Sequence, residues 1–337
     1  MTDTTLPTVQ LGTDGPLVGV QGLGCMGMSE FYGPTDTDEA LATLGAALEA
    51  GVTLFDTADM YGFGRNEEFI GPFVRAHRDQ VVLATKFAIE RREDDPTHRA
   101  VRNDAAYIRS AVEGSLRRLG VDHIDLYYMH RRNPEVPLAE SIGAMAELVQ
   151  AGKVRHLGLS EVTAAELREA HAVHPIAAVQ SEWSVFTRDV EASVAPVAAE
   201  LGVGFVPYSP LGRGFLTGSF QAAEQLGADD FRRMQPRFTG DNAAANGELL
   251  APLREIAEAR GVTLAQVALA WVQQRAEVYG LTVVPIPGTR KRSRLAENAA
   301  AATLKLTAAE LALVEPIAGK VDGARYADMS STHVGRE

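Results

Sequence analysis

The sequence has little cysteine, and Cys25 is the single one. One thiol excludes an internal disulfide, and it excludes zinc or iron–sulfur sites built on several cysteines. No apolar run approaches the roughly 18 residues of a membrane span, and the start MTDTTLPTVQ lacks the basic and apolar segments of a secretory signal. Acidic residues outnumber basic ones, and the net charge is −12. This charge argues against nucleic acid or an anionic membrane as partner. We therefore expect a soluble, cytoplasmic protein.

What the sequence does contain is a series of short apolar runs rich in β-branched residues. With 337 residues and 46% hydrophobic composition, the chain suits two ordinary domains or one large α/β barrel. Runs of this kind are typical of strands buried on both faces. They occupy residues 17–24, 52–55, 81–85, 124–129, 154–159, 176–180, 203–208 and 282–287.

Helical patterns fill the gaps between these runs. In the segment 36–51, Leu41, Leu44 and Leu48 are predicted to share one face, with acids in the first turn and Gly51 at the end. The segment 103–120 repeats the scheme with Ile108, Val112, Leu116 and Leu119, and a further helix is predicted from Thr163. Alternating strands and helices imply parallel strands with right-handed crossovers.

Eight such repeats fit a (β/α)8 TIM barrel better than a doubly wound sheet. We expect one α/β domain over residues 1–337, with a core at about 6–320. The segment 212–247 follows the seventh run and is rich in Gly, Arg and Phe. It is too long for an ordinary βα loop, which predicts a functional lid.

The stretch QGLGCMG, residues 21–27, fits the G-x-G-x-x-G fingerprint of dinucleotide-binding Rossmann folds. That fingerprint needs a helix that opens at its last glycines, yet the helical pattern begins only near residues 36–38. The acid that follows the next apolar run, Asp56, lies well beyond the spacing of about 20 residues expected for a ribose contact. A glycine-rich strand end followed by a turn is therefore the favoured interpretation.

Polar residues repeatedly follow the predicted strands, where a barrel carries its catalytic side chains. Each alone has an ordinary structural explanation, such as a helix cap or a solvated side chain, but together they predict a site on one rim. In chain order these residues are Asp56, Tyr61, Lys86, His130, Ser160, Glu161, Gln180, Tyr208 and Ser209.

Four of these residues make chemical sense as a proton-donating group. A lysine ammonium beside Tyr61 would lower the tyrosine pKa by up to about three units. Asp56 would keep Lys86 charged and oriented, and His130 would hydrogen-bond the same substrate oxygen. Such a tyrosine could protonate an oxygen that gains charge as a carbonyl accepts hydride.

These four residues, in FDTADMYG, ATK and YYMH, resemble the catalytic tetrad of the aldo-keto reductase superfamily. The resemblance covers about residues 6–320. GLGCMGMSEFYG, LGLSEV and VQSEWSVFTRD most resemble the branch that contains pyridoxal reductases, perakine reductase and auxin-induced-type reductases. The resemblance implies reduction of aldehydes or ketones with NADPH, with Tyr61 as general acid, Lys86 tuning it, Asp56 pairing with Lys86 and His130 orienting the carbonyl.

The resemblance also implies contacts to an extended NADPH. Ser160 and Gln180 would bind the carboxamide, and Tyr208 would stack on the nicotinamide. The remaining cofactor residues would be Gly24, Cys25 and Met26 near the ribose, Ser209, Leu211, Gly212 and Arg213 at the pyrophosphate, and Gly288, Thr289, Arg290, Arg294, Glu297 and Asn298 at the adenosine 2′-phosphate and adenine. The basic run TRKRSR, 289–294, independently suits a phosphate.

Two positions depart from the wider family. Glu161 stands where many members have Asn, and an ionised carboxylate cannot donate to a carboxamide oxygen. Trp183 replaces a tyrosine and is expected to reshape the substrate side. The candidate substrate contacts are Met26, Met60, Tyr61, Phe87, His130, Arg131 and Trp183, and Arg131 would favour an anionic group.

Two other functions remain open at this point. One is a cofactor-binding regulatory subunit of the same fold, and the other is an aldolase that forms a Schiff base on Lys86. The complete tetrad counts against the first, and Asp56, Tyr61 and the basic run are unexplained by the second. Neither a metal site nor a nucleic-acid surface is expected, and a monomer is the default assembly.

Overall fold

The computed structural model describes residues 5–95, 97–219 and 222–337. Residues 1–4, 96, 220 and 221 of the expected domain lie outside this description. The strands are β1 (Thr8–Gln10), β2 (Leu17–Gly19), β3 (Leu23–Gly24), β4 (Leu54–Asp56), β5 (Val82–Phe87), β6 (Ile89–Arg91), β7 (Arg99–Val101), β8 (Ile124–Met129), β9 (Val154–Ser160), β10 (Ile176–Glu182) and β11 (Gly204–Tyr208). The α-helices are α1 (Thr37–Glu49), α2 (Arg65–Ala76), α3 (Ala105–Leu119), α4 (Leu138–Gln150), α5 (Ala164–Val173), α6 (Val194–Leu201), α7 (Gly240–Glu248), α8 (Ala251–Arg260), α9 (Leu264–Tyr279), α10 (Arg292–Ala300) and α11 (Ala308–Val314).

The centre of the fold is a parallel sheet of seven strands in the order β11-β10-β9-β8-β5-β4-β3. Side chains from several strands form one buried cluster in the space that the curved sheet encloses, among them Leu54, Ala84, Leu126, Ala178 and Val206. Helices that connect successive strands pack on the outside against a second, larger core. The sheet is thus a nearly closed barrel in a single α/β domain, which confirms the predicted fold class.

The eighth predicted strand, 282–287, closes the barrel without forming a regular strand. Val284 N–H donates to Phe205 O at 2.9 Å and Ile286 N–H to Pro207 O at 3.0 Å, while Gly22 N–H donates to Pro285 O at 3.0 Å. The segment therefore touches both edges of the sheet. Pro285 and Pro287 have no N–H to donate, which explains why the pairing on the side of the segment away from β11 stays incomplete.

The first predicted run, 17–24, is divided between two elements. Its first part, β2, pairs with β1 in an antiparallel hairpin outside the barrel, and only β3 joins the sheet, beside β4. No α-helix opens at the glycines, since one 3₁₀ turn at Met26–Met28 follows and α1 begins at Thr37. The Rossmann interpretation is therefore excluded by the local structure.

Two predictions about helices need correction. α1 buries Ala40, Thr43, Leu44 and Ala47, whereas Leu41 is exposed. The helix face that packs on the barrel is therefore rotated relative to the predicted face of Leu41, Leu44 and Leu48. The predicted loop 212–247 is mainly a series of short 3₁₀ turns, and α7 already begins at Gly240. Part of that loop, 220–221, lies outside the described residues.

No described helix is long and apolar enough to cross a bilayer.

Candidate active site

The two rims of the barrel differ in backbone strain. Non-glycine residues with left-handed backbone conformations occur in the described chain only after the carboxyl ends of strands, at Phe31, Phe63, Ala88, Glu161, Ser209 and Arg213. Turns that lead into the opposite rim use glycines instead, for example Gly51, Gly120, Gly202 and Gly280. Left-handed non-glycine residues cost free energy and cluster at functional sites. The carboxyl rim is therefore the functional one.

At the centre of that rim lies a buried ion pair between Asp56, at the end of β4, and Lys86 in β5. Lys86 Nζ contacts Asp56 Oδ1 and donates to Thr57 O at 2.8 Å. Gln180 Nε2, from β10, donates to Asp56 Oδ2 at 2.8 Å. We call Asp56, Lys86 and Gln180 the Asp56 cluster. Burial alone would lower the pKa of Lys86, but the Asp56 charge raises it above its ordinary value, so Lys86 stays an ammonium.

Tyr61 follows β4 and lies over this ammonium, with Lys86 Nζ 5.3 Å from the ring centroid. The Lys86 charge acts on the Tyr61 pKa in the predicted direction, but burial outweighs it. Burial raises the pKa of Tyr61 above 10.0, and the opposing effect of the Lys86 charge only reduces that rise. Tyr61 is therefore fully protonated at neutral pH.

His130 follows β8 and meets Tyr61 edge to face, with ring centroids 5.9 Å apart. Burial first, then the charges of Arg131 and Lys86, lower the pKa of His130 well below 6.5. The neutral imidazole keeps one N–H donor. His130 and Tyr61 can therefore both donate to one oxygen placed between them.

The two predicted carboxamide residues occupy neighbouring strands, β9 and β10. Ser160 Oγ accepts a hydrogen bond from Arg131 Nη1 at 3.3 Å, while the amide of Gln180 is bound to Asp56. Both side chains are buried at the rim. The structure thus brings them beside the tetrad, and each has a protein partner.

Glu161 lies next to Ser160 and is fully buried, but its carboxylate is directed to a different part of the chain. Arg325 donates to both carboxylate oxygens, at 2.8 and 3.1 Å, and His333 Nδ1 lies 2.9 Å from Oε2. Tyr208 OH donates to Oε1 at 2.7 Å. Burial alone would raise the pKa of Glu161, yet these hydrogen bonds and the Arg325 charge hold it well below 4.5. We call Glu161, Tyr208, Arg325 and His333 the Glu161 cluster.

Two partners of Glu161, Arg325 and His333, belong to residues 322–337, which we call the arm. Tyr326 of the arm accepts a hydrogen bond from Arg213 at 2.7 Å and lies 3.1 Å from Tyr208 OH. Arg336 donates to Glu161 O at 2.6 Å. The arm therefore contacts two residues, Tyr208 and Arg213, that were predicted to bind cofactor. Sequence reasoning missed these contacts, because the arm has no periodic pattern.

The predicted pyrophosphate segment begins a tight turn after β11. Ser209, Gly212 and Arg213 all have positive φ angles, and Leu211 precedes a 3₁₀ turn at Gly212–Thr217. Successive left-handed residues direct backbone N–H groups to one side and form anion-binding concavities. Further along, Phe231 N–H donates to Phe31 O at 3.1 Å, so the predicted lid reaches across to the loop after β3.

The cations of the basic segment 289–294, beside α10, fall into two groups: those whose side chains bind other parts of the described chain and those whose side chains do not. Arg290 donates to Gly27 O, Tyr32 O and Gly33 O, and Arg292 pairs with Glu39 at 2.8 Å. Neither Lys291 nor Arg294 has a side-chain partner among the described residues. Of the other predicted contacts, Thr289 accepts from the backbone N–H of Lys291, Glu297 O accepts from Gln266, and Asn298 is buried.

A sequence profile of the aldo/keto reductase family matches residues 22–318. The chain belongs to the aldo/keto reductase family. Membership implies an oxidoreductase that reduces small carbonyl compounds with a nicotinamide cofactor.

Solved structures of other aldo/keto reductases agree with this assignment. A glycerol dehydrogenase from Gluconobacter oxydans, AKR11B4, is 29% identical with a TM-score of 0.83, covering 97% of this chain and 99% of its own. The reductase AKR11C1 from Bacillus halodurans is 28% identical with a TM-score of 0.74, covering 96% and 99%. A thermostable aldo-keto reductase solved with the inhibitor epalrestat is 29% identical with a TM-score of 0.71, covering 93% and 100%.

In this aldo/keto reductase, the candidate substrate residues fall into two groups. Met26 and Met60 pack with Tyr61 at the rim, whereas Phe87 and Trp183 are fully buried in the core, which corrects their prediction. Side chains alternate along a strand, so Phe87 points away from the face that carries Lys86 and stacks on Tyr127 at 5.1 Å.

Trp183 directly follows β10 and is likewise directed into the helical layer. Its ring lies 4.8 Å from that of Phe205 and 5.6 Å from that of Tyr279, and its Nε1–H donates to Glu191 at 3.0 Å. The buried indole cannot contact a substrate in this conformation. The Tyr-to-Trp departure from relatives is accommodated by core packing.

The glycines of QGLGCMG allow close packing of the barrel's closing segment. A Cβ at Gly22 would lie 2.9 Å from Ile286 Cγ2, and one at Gly24 would lie 3.1 Å from Ile286 O; Gly288 in turn faces Gly24 O. Cys25 is fully buried, and burial raises the pKa of its thiol. Its side chain faces the core, its backbone N–H donates to Asp56 O, and its backbone oxygen accepts from Asn66 Nδ2, so each of its polar groups has a partner in the protein.

Proposed function

We propose that this protein reduces aldehydes or ketones to alcohols with NADPH, and that Tyr61 is the general acid. The observation that supports this most is the Asp56–Lys86 ion pair, buried beneath Tyr61 and beside neutral His130. A bound nicotinamide supplies the hydride. Tyr61 and His130 hold the carbonyl oxygen between two donors, and the Tyr61 hydroxyl proton passes to that oxygen as it gains negative charge.

Lys86 acts on Tyr61 through its charge. The tyrosinate left after proton transfer lies beside an ammonium that Asp56 keeps charged, so the product state is stabilised without a change in geometry. The raised pKa of Lys86 also argues against the aldolase alternative, because a Schiff-base lysine needs a deprotonated amine.

Substitution of Tyr61 by Phe tests this role. We expect Tyr61→Phe to bind NADPH with unchanged affinity and to lose about 10²- to 10⁴-fold in turnover, the usual contribution of a general acid. Tyr107→Phe, on α3, is the matched control and should keep its turnover. Near-normal turnover of Tyr61→Phe would remove Tyr61 from the mechanism. Tight NADPH binding by the wild type without any carbonyl reduction would support the regulatory-subunit alternative.

The preference for NADPH is inferred from the two free cations near the start of α10. Lys291 and Arg294 fit a 2′-phosphate because they have no carboxylate partner in the described chain. Burial first, and then the charge of Arg294, lowers the pKa of the neighbouring Arg290. We propose that Lys291 and Arg294 hold this phosphate while Arg290 fixes the loop after β3.

This assignment is tested by cofactor titrations that follow protein fluorescence. Arg294→Ala should weaken NADPH about tenfold, as expected for one charge-assisted hydrogen bond, and leave NADH nearly unchanged. Arg292→Ala removes the same charge from the same helix, but its guanidinium already pairs with Glu39, so its effect on the NADPH to NADH ratio should be small. Equal losses for both cofactors in Arg294→Ala would refute the assignment.

The family branch remains part of the proposal. The motifs resemble pyridoxal reductases, whereas one structural neighbour is named a glycerol dehydrogenase. A panel of pyridoxal, nitrobenzaldehydes, methylglyoxal and small ketones, each with NADPH and NADH, would separate these possibilities.

A further inference from the structure

Three arginines surround the mouth of the candidate site on the substrate side. Arg91 and Arg99 face each other across the hairpin formed by β6 and β7, where they are register partners. Arg131 follows His130 directly. The hairpin continues from β5, the strand that carries Lys86, so all three cations lie close to the tetrad.

Arg91 is neutralised by the protein. Its guanidinium donates to both carboxylate oxygens of Glu30, each at 2.8 Å, and to Met60 O at 2.9 Å. It also lies 4.0 Å from the ring centroid of Phe63. Arg91 is thus a structural residue that ties the hairpin to the neighbouring loops.

Arg131 is almost buried, with 9% of its surface exposed, yet it has only neutral partners. Its Nη1 donates to His130 O at 2.7 Å and to Ser160 Oγ at 3.3 Å. In the described part of the chain no carboxylate lies within ion-pair distance of it. Burial alone would lower the pKa of Arg131, but the neighbouring Tyr208, Tyr326 and Glu161 raise it. Of these, the carboxylate of Glu161 already binds Arg325 and His333.

Arg99 is exposed and has no hydrogen-bond or ion-pair partner among the described residues. Desolvation, followed by repulsion from Arg131 and Arg91, lowers the pKa of Arg99. The charges of Arg131 and Arg99 in turn help lower the pKa of His130. Two arginines without a carboxylate partner in the described chain therefore both act on the imidazole of His130, in a protein whose net charge is −12.

We propose that Arg99 and Arg131 bind a carboxylate of the substrate, so that this protein acts on carbonyl compounds that carry a carboxylate. The inference rests on the proposed carbonyl reduction. Two guanidinium groups match the two oxygens of a planar carboxylate. A substrate held by this group at one end would present its carbonyl to Tyr61 and His130 at the other.

A matched pair of aldehydes tests the charge alone. para-Formylbenzoate and its methyl ester have the same ring and aldehyde, and they differ in the negative charge. We measure kcat/KM with NADPH for both. The wild type is expected to prefer the carboxylate, and the preference should shrink as salt is added, because ions screen exposed charges.

Variants then locate the preference. Arg99→Gln should lower the carboxylate to ester ratio about fivefold, as expected for a partly exposed ion pair. Arg131→Gln should lower it about thirtyfold, as expected for a buried charge-assisted contact. Arg92→Gln, on the same hairpin but directed to solvent, is the matched control and should leave the ratio unchanged. If Arg131→Gln fails to fold, Arg99→Gln still tests the proposal.

The outcomes separate this inference from the proposed function. Reduction of both aldehydes with a ratio that Arg99→Gln and Arg131→Gln leave unchanged would overturn the carboxylate site and leave the reductase proposal intact. No reduction of either aldehyde by the wild type would overturn both. Weaker NADPH binding in Arg131→Gln would assign this arginine to the cofactor, and a stronger preference for para-formylphenyl phosphate would assign the site to phosphate; either result overturns the proposal.

Discussion

Asp56 and Glu161 are both buried carboxylates on the same rim, and each is held by a buried cation, but their partners come from different kinds of structure. Lys86 and Gln180 of the Asp56 cluster lie in barrel strands, so the cluster forms whenever the sheet forms. Arg325 and His333 of the Glu161 cluster lie in the arm, outside any helix or strand of the described chain. The comparison indicates that the reacting groups belong to the rigid scaffold, whereas their cover is attached by a separate electrostatic contact.

The largest expected effect is on the Asp56 cluster. Lys86→Met leaves Asp56 buried without its cation, which costs about 3–5 kcal/mol of unfolding free energy, and turnover falls because Tyr61 loses its neighbour. Urea unfolding and NADPH oxidation measure the two effects. Lys153→Met, which removes a half-exposed ion pair with Glu113, should cost about 0–1 kcal/mol. If Lys86→Met is as stable as that control, the buried carboxylate of Asp56 does not need the Lys86 charge.

The matching change in the Glu161 cluster should act locally. Arg325→Met is expected to release the arm, so that water reaches Glu161 and the global loss stays smaller, about 1–3 kcal/mol. Hydrogen exchange should show faster exchange in residues 322–337 with little change in β4, β5 and β8. Arg260→Met, which breaks a surface pair with Glu310, is the control. An equal loss of protection in the arm and the barrel would abolish the proposed difference between the clusters.

A double variant sharpens the same comparison. Glu161→Gln with Arg325→Met should be more stable than Arg325→Met alone by about 1 kcal/mol, because the buried charge is removed with its partner. Chemical unfolding of the wild type, both single variants and the double variant gives the coupling energy. A coupling near zero would mean that Tyr208 and His333 hold Glu161 without Arg325.

Acid should detach the arm as Glu161 becomes protonated. The folded pKa of Glu161 lies well below 4.5, so its contribution to stability is complete above that ordinary value and disappears as the pH falls through the folded pKa. Limited proteolysis from pH 6 to 3 should find the arm protected at pH 5 and cleaved only at lower pH. Glu161→Gln should lose this dependence, and cleavage of the wild-type arm at pH 5 would contradict the prediction.

The smallest expected effect is that of pH on kcat/KM, which should hardly change near neutral pH. Tyr61 has a pKa above 10.0 and His130 one well below 6.5, so both keep one protonation state at neutral pH. With saturating cofactor, kcat/KM for carbonyl reduction should vary by less than about twofold between pH 7 and 9. A basic limb near pH 8 would mean that Lys86 outweighs burial once cofactor binds.

The sequence predicted the Asp56–Lys86 pair because parallel strands bring their carboxyl ends to one rim, and both residues directly follow apolar runs. Gln180 was predicted on the same rim, but at a carboxamide and not against Asp56. The inward and outward alternation of strand residues could also have placed Phe87 in the core, since it adjoins inward-facing Lys86. Pro285 and Pro287 could likewise have indicated that the last run cannot pair fully. These signals are local and follow from strand geometry.

The Glu161 cluster could not be predicted in the same way. Glu161 was singled out as a poor carboxamide donor, and a buried carboxylate requires cationic partners. However, Arg325 and His333 are 164 and 172 residues further along, in a segment without apolar periodicity. Which arginine of the chain meets Glu161 depends on the path of the arm over the finished barrel, which no local pattern encodes.

The position of the arm also sets an order of events during synthesis. Residues 322–337 leave the ribosome after all the strands, and chains begin to fold while they emerge. The Asp56 cluster can therefore assemble on a nascent chain that still lacks the arm, whereas Tyr208 gains its contact with Tyr326 only after the arm has been made. The arm thus decides when the newly made barrel acquires the contacts that cover the carboxyl rim.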